Sequence, residues 1–211
     1  MSPEILEPTE TTVSPILMDH ALQGPPQGQW TVAHWERLPE DGNRYEIIDG
    51  KLYMTTAPSA FHQWVGALIT RLGVPAQERG LGIWFTAPIG VLLSPRDAVQ
   101  RDFLFIRAER VAGLVQERRV RGAPDLVVEV LSPGNSAEEM ANKRAMYARG
   151  SVAEYAEVDP ATRVLRYYRL AEGSYSEPLV YAEDERVLFA CLPDAPLTVA
   201  TLFAGAPDTT A

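Results

Sequence analysis

The chain has a single cysteine, Cys191, among 211 residues. An internal disulfide is therefore excluded, which fits a reducing, cytoplasmic setting. With no histidine near it in sequence, Cys191 reads as core filler rather than a nucleophile. There is no apolar run of about 18 or more residues, so no membrane-spanning helix is expected. A basic segment followed by an apolar stretch is missing from the N-terminus, which argues against a signal peptide. Cationic excess is also missing: 19 Lys and Arg face 28 Asp and Glu, a formal charge of −9. That balance argues against a protein that coats nucleic acid through bulk charge, but it leaves room for a local basic groove or an acidic site that recruits a divalent cation. Internal repeats and low-complexity tracts are absent as well.

What is present is ordinary globular composition, 46% hydrophobic and 22% charged, with length enough for one sizeable core. Residues 1–29, rich in Pro, Thr, Gly and Gln, read as a flexible leader, residues 30–204 as one domain, and 205–211 as a frayed tail. Thr31 is placed to cap a short helix that stops before Pro39. "YEIIDGKLYMT" reads as a hairpin hinged at Asp49-Gly50. A helix beginning near Ser59 is expected to be broken or ended by Gly73 and Pro75. Two strands flank Ala87-Pro88, another runs from Asp102 to Ile106, and "QERRVRGAP" reads as a charged connection. The clearest helix is "NSAEEMANKRAMYARG", with Asn135 or Ser136 as N-cap, acids in its first turn and Gly150 after its end. The order of elements is mixed α/β.

"APDLVVEVLSP" poses the functional question. It is a strand apolar on both faces, as in a sheet covered on both sides, yet Glu129 stands in its middle. An unpaired charge there is expensive. A buried ion pair, a metal site or a strand end opening into a cleft would each account for it. Asp125 shares its face but lies about 13 Å away along the strand, too far for one ion, and reads as structural.

Three further residues belong with Glu129: Glu46 in "YEIID", Asp102 in "QRDFLFI", and Lys143 on the following helix. Glu139, Lys143 and Tyr147 recur at i, i+4 and i+8, so they share one helix face. Two carboxylates from different strands plus a lysine suit metal-dependent phosphodiester hydrolysis. Mg²⁺ takes hard oxygen ligands and keeps several waters; it polarises the phosphate and activates water, while an ammonium steadies the developing charge. The same residues also suit a structural ion pair with a strand-end cap.

The segments "YEIIDGKL" (45–52), "PSAFHQWVGALITRL" (58–72), "QRDFLFI" (100–106), "GAPDLVVEVLSPGNS" (122–136), "KRAMY" (143–147) and "EYAEVDPATRVLRYYRL" (154–170) resemble, in order, the Uma family of restriction endonucleases. This is a branch of the PD-(D/E)XK, restriction-endonuclease-like superfamily. The resemblance implies a central mixed β-sheet flanked by helices, a Mg²⁺ (or Mn²⁺) site, and DNA as the substrate. It gives Asp102 and Glu129 the metal, Lys143 the water or the transition state, and Glu46 an added ligand or base. A homodimer, with two centres suited to double-strand cutting, is the superfamily expectation. His62, Tyr147 and Arg119 are candidate substrate contacts.

The chain departs from the family pattern in three places. Arg101 stands where a proline usually precedes the aspartate; it is expected to point to the other face. In "EYAEVD", Ala156 replaces an aromatic and leaves room for one, and Glu157 suggests exposure. The competing functional readings are a nuclease fold retired to binding or scaffolding, and a nuclease acting on RNA.

Overall fold

The computed structural model describes residues 24–55 and 58–206. Most of the expected leader (1–23) and of the tail (207–211) lies outside the described residues. From Gly24 the chain is already pinned: the side chain of Gln27 bonds both the N–H and the carbonyl of Leu52, and Gly28 and Trp30 donate to Gly50.

The elements in order are α1 (Val32–Trp35), β1 (Arg44–Ile48), β2 (Lys51–Thr55), α2 (Ala60–Glu78), β3 (Gly82–Thr86), β4 (Gly90–Ser94), β5 (Asp97–Gln100) and β6 (Phe103–Arg107). A 3₁₀ turn, Ala108–Arg110, leads to α3 (Val111–Leu114), β7 (Val115–Gln116), β8 (Arg119–Arg121) and β9 (Leu126–Val130). Then come α4 (Ala137–Arg149), β10 (Glu154–Asp159), β11 (Val164–Ala171), β12 (Ser174–Tyr175), β13 (Leu179–Tyr181), β14 (Arg186–Val187), β15 (Leu197–Thr198) and a closing 3₁₀ turn, Val199–Leu202.

Two large sheets organise the domain. One has seven strands, in the order β12-β11-β10-β9-β6-β3, with β13 added beside β11. It is mixed, because β9 and β10 run parallel while β6 and β11 run antiparallel to them. The second has six strands in the order β2-β1-β5-β4-β8-β7. Alternation along the strands sorts side chains between two cores. Phe103, Phe105, Leu126, Val128, Val130 and Ala156 face α2 and the C-terminal 3₁₀ turn. Leu104, Ile106, Val127 and Tyr155 face α4 and the six-stranded sheet. Glu129 shares the second face with Val127, so it enters the layer between β9 and α4.

Local chemistry explains several boundaries and corrects three expectations. Asp49 and Gly50 both take positive φ, as a tight hairpin turn requires. Ser59 and Ser136 cap α2 and α4 through their hydroxyls. Helix α2 does not stop at Gly73 and Pro75 but runs to Glu78, because buried Ala76 still packs in the core beyond them. Gly73 is there for contact: a Cβ at that position would lie 2.3 Å from the Trp84 ring. The strand expected from Asp102 to Ile106 is β6, displaced by one residue to Phe103–Arg107, because Arg101 and Asp102 form a bend that separates it from β5. "QERRVRGAP" is not a plain connection either: it holds the end of β7 and all of β8, with Val120 fully buried.

Candidate functional site

The β5–β6 bend brings two consecutive residues to one place. In an unbroken strand Arg101 and Asp102 would point to opposite faces; with the alternation interrupted, Arg101 reaches Glu129 and Asp102 reaches the adjoining Val130 N–H. Arg101 therefore does not point away. Its side chain is 1% exposed, lodged between two acids. One guanidinium nitrogen, Nη1, donates to Glu129 Oε1, and the other, Nη2, lies 2.6 Å from Glu46 Oε1. That second contact is an ion pair outside hydrogen-bond alignment, and Nε has no hydrogen-bond partner among the described residues. The guanidinium also lies 5.3 Å from the centre of the Tyr147 ring.

Glu129 is engaged from every side. Its Oε1 accepts from the Tyr147 hydroxyl at 2.7 Å as well as from Arg101, and its Oε2 accepts from Lys143 Nζ at 3.2 Å. Lys143 also meets Glu139 Oε1 at 3.1 Å, one turn back along α4, and Asn135 donates to that same oxygen. Burial pushes the Glu129 carboxyl up, but the charges of Arg101 and Lys143 outweigh it and hold the group at about 2. Burial pulls the Lys143 ammonium down; Glu129 more than offsets this, so the net shift is upward.

Asp102 occupies the neighbouring position. Its Oδ2 accepts the backbone N–H of Val130 at 2.9 Å, which ties the bend to the end of β9. Arg44 Nη1 reaches Oδ1 at 3.3 Å, and His62 Nε2 lies 3.4 Å from Oδ2. That imidazole nitrogen also lies 3.1 Å from the Val130 carbonyl. Two acceptors facing one ring nitrogen require it to carry the proton. Burial raises the Asp102 carboxyl, but the His62 hydrogen bond and the Arg44 charge dominate, and the net shift is downward. Glu46 joins through its Oε1, which accepts from Gln100 N–H at 2.8 Å and lies 3.4 Å from Arg44 Nε.

The sequence candidates thus divide by location. Asp102, His62, Arg44, Gln100 and Arg119 line an open cavity of about 840 Å³ between α2 and the six-stranded sheet. Arg119 stacks 4.8 Å from the centre of the Trp35 ring and pairs with Glu36. Glu46, Glu129, Lys143 and Tyr147 lie behind this wall, buried. Tyr147 supports Glu129 there, with no side-chain exposure to the cavity. Arg44 and Arg101 were missed as members of the cluster; the signal for Arg101 was a cation directly before an acid ahead of an apolar strand, and for Arg44 a cation two residues before Glu46 on the same strand face.

Glu157 is not exposed. It is 3% accessible, pairs with Arg144 at 2.7 Å and accepts from the Tyr168 hydroxyl. Asp125 accepts from the Arg107 N–H and from Arg110, a structural pairing. Ala156 is fully buried, in a core to which the C-terminal segment adds Phe189 and Phe203.

As arranged, the carboxylates do not fit a divalent cation. Both oxygens of Glu129 and both of Asp102 already accept from protein donors. Four acids (Glu46, Asp102, Glu129 and Glu139) face three permanent cations, Arg44, Arg101 and Lys143. Among the described residues no group of three or more His, Cys, Asp or Glu is placed to hold a metal.

Residues 32–200 match the family Uma2, described as "Putative restriction endonuclease". The fold is similar to a crystal structure described as "a putative nuclease belonging to DUF820" from Anabaena variabilis ATCC 29413. That similarity has a TM-score of 0.69 at 18% identity, over 82% of this chain and 97% of that one. No curated protein matches in sequence. Among the described residues no helix is long and apolar enough to cross a membrane.

Proposed function

The chain belongs to the Uma2 restriction-endonuclease family, and from that premise we propose that it hydrolyses phosphodiester bonds of DNA in the cavity floored by Asp102. The observation that carries the reading is the position of Asp102. It is an ionised carboxylate at an open cavity, flanked by His62 and Arg44 and backed by Glu129 and Lys143. A backbone phosphate entering there meets Arg44 and Arg119, donors suited to its oxygens. Asp102, held ionised, orients a water by accepting its hydrogen bond. Lys143, tied to Glu129, keeps positive potential behind the wall.

A second reading is favoured by Arg101: a nuclease fold that binds DNA without cutting it, since a guanidinium already neutralises the inner acids. Both readings are tested on matched DNA and RNA substrates, with and without Mg²⁺ or Mn²⁺, comparing the native chain with Asp102→Asn. Cleavage of DNA that the variant loses supports hydrolysis. Salt-sensitive DNA binding without cleavage under any cation supports the binding reading. Preferential cleavage of RNA overturns DNA as substrate. A homodimer, proposed so that two centres serve two strands, is checked by sedimentation of the chain with and without DNA.

A further inference from the structure

We infer that Arg101 is the resident cation of the acidic centre, a guanidinium standing where a divalent ion would compete for Glu46 and Glu129. The placement argues for this directly. The side chain is 1% exposed, and its two terminal nitrogens contact carboxylates from two different strands, β1 and β9. Bridging acids from separate strands is the task a metal ion performs at clustered carboxylates. Arg101 does it with a charge that is never lost, because a guanidinium stays protonated.

Charge balance argues the same way. With Arg101 in place, four acids meet three permanent cations. Without it the same four acids meet Arg44 and Lys143 only, and the deficit of two positive charges is what a divalent ion supplies. The fit of Arg101 is electrostatic more than directional. Its Nε has no hydrogen-bond partner among the described residues, and its contact with Glu46 is an unaligned ion pair. A group held by one aligned hydrogen bond and otherwise by charge is replaceable by another cation of suitable charge. The consequence for catalysis rests on the hydrolase reading above: how much an added divalent ion contributes at this centre is set by its competition with Arg101.

The test uses the full chain stripped of metal, titrated with Mn²⁺ by calorimetry and by the paramagnetic signal of the bound ion. Neither readout depends on activity. Arg101→Gln is expected to bind one Mn²⁺ per chain at least about tenfold more tightly than the native protein. Its thermal transition, lowered without metal, is expected to rise by about 5 °C or more when Mn²⁺ saturates it. Arg101→Lys keeps a charge that reaches one carboxylate and not both, so it retains the fold and binds Mn²⁺ with intermediate affinity. Native protein that binds Mn²⁺ as tightly as Arg101→Lys overturns the inference, even if Arg101→Gln fails to fold. If the variants gain Mn²⁺ yet leave DNA intact, the hydrolase reading falls while the role of Arg101 stands.

Discussion

Arg101 and Asp102 are neighbours in the chain, yet both side chains serve the same acidic cluster, one from inside it and one from the cavity wall. The bend between β5 and β6 makes this possible. It also separates two kinds of chemistry: Arg101 balances charge that water never reaches, while Asp102 meets whatever enters the cavity. Variants at the two positions should therefore fail in different ways.

Asp102→Asn is the variant that separates activity from folding. The amide keeps an acceptor for the Val130 N–H but loses the charge facing Arg44 and His62. DNA cleavage by the native chain should fall to background in this variant, with stability lowered by roughly 1.5–3 kcal/mol, less than removal of the Glu129 charge costs. A cleavage assay beside a urea melt checks both halves; an active variant refutes the assignment of Asp102.

Glu129→Gln should behave otherwise. Two buried cations, Arg101 and Lys143, lose their shared counter-charge. Breaking a buried pair by removing one partner costs roughly 3–5 kcal/mol, so the variant should unfold at clearly lower urea. A midpoint equal to that of the native chain would mean the cluster carries no net stabilisation.

Acid should loosen the fold through the same group. Glu129 is held at about 2 in the folded chain, against 4.5 as its ordinary value. A folded value below the unfolded one means the stabilisation is complete above the ordinary value and disappears as pH falls through the folded one. The amount is roughly 3 kcal/mol, and Asp102 contributes in the same direction. Urea midpoints from about pH 6 down to about pH 2 measure it. Arg101→Gln should flatten the profile, since Arg101 is the leading charge that depresses Glu129.

Gly73→Ala offers a test of packing against propensity. Alanine would gain about 1 kcal/mol in an isolated helix. Here its methyl carbon would meet the Trp84 ring at 2.3 Å, so the variant should lose about 1–3 kcal/mol instead. A stabilised variant would show that Trp84 gives way freely.

Much of the site was legible beforehand, for identifiable reasons. Glu129 announced itself because a carboxylate in a doubly covered strand needs a partner, and the i, i+4, i+8 spacing of Glu139, Lys143 and Tyr147 showed which helix face holds one. Arg101 was misplaced because strand alternation was carried through a bend that nothing in "VQRDFLF" marks. Glu157 seemed a surface residue because its partner, Arg144, lies on another element, and a single strand read alone shows no partner. Helix α2 outran its proline because tertiary burial of Ala76 outweighs one missing N–H, a comparison local propensity does not make.

Strands β9 and β10 run parallel with Glu129 and Glu157 directly abreast, while consecutive residues of α4 serve them, Lys143 the first and Arg144 the second. Zipping these strands together alone would force two like charges side by side, which opposes their pairing. The two cations of α4, with Arg101 beside Glu129, thus offset a repulsion that the register of the two strands builds into the sheet.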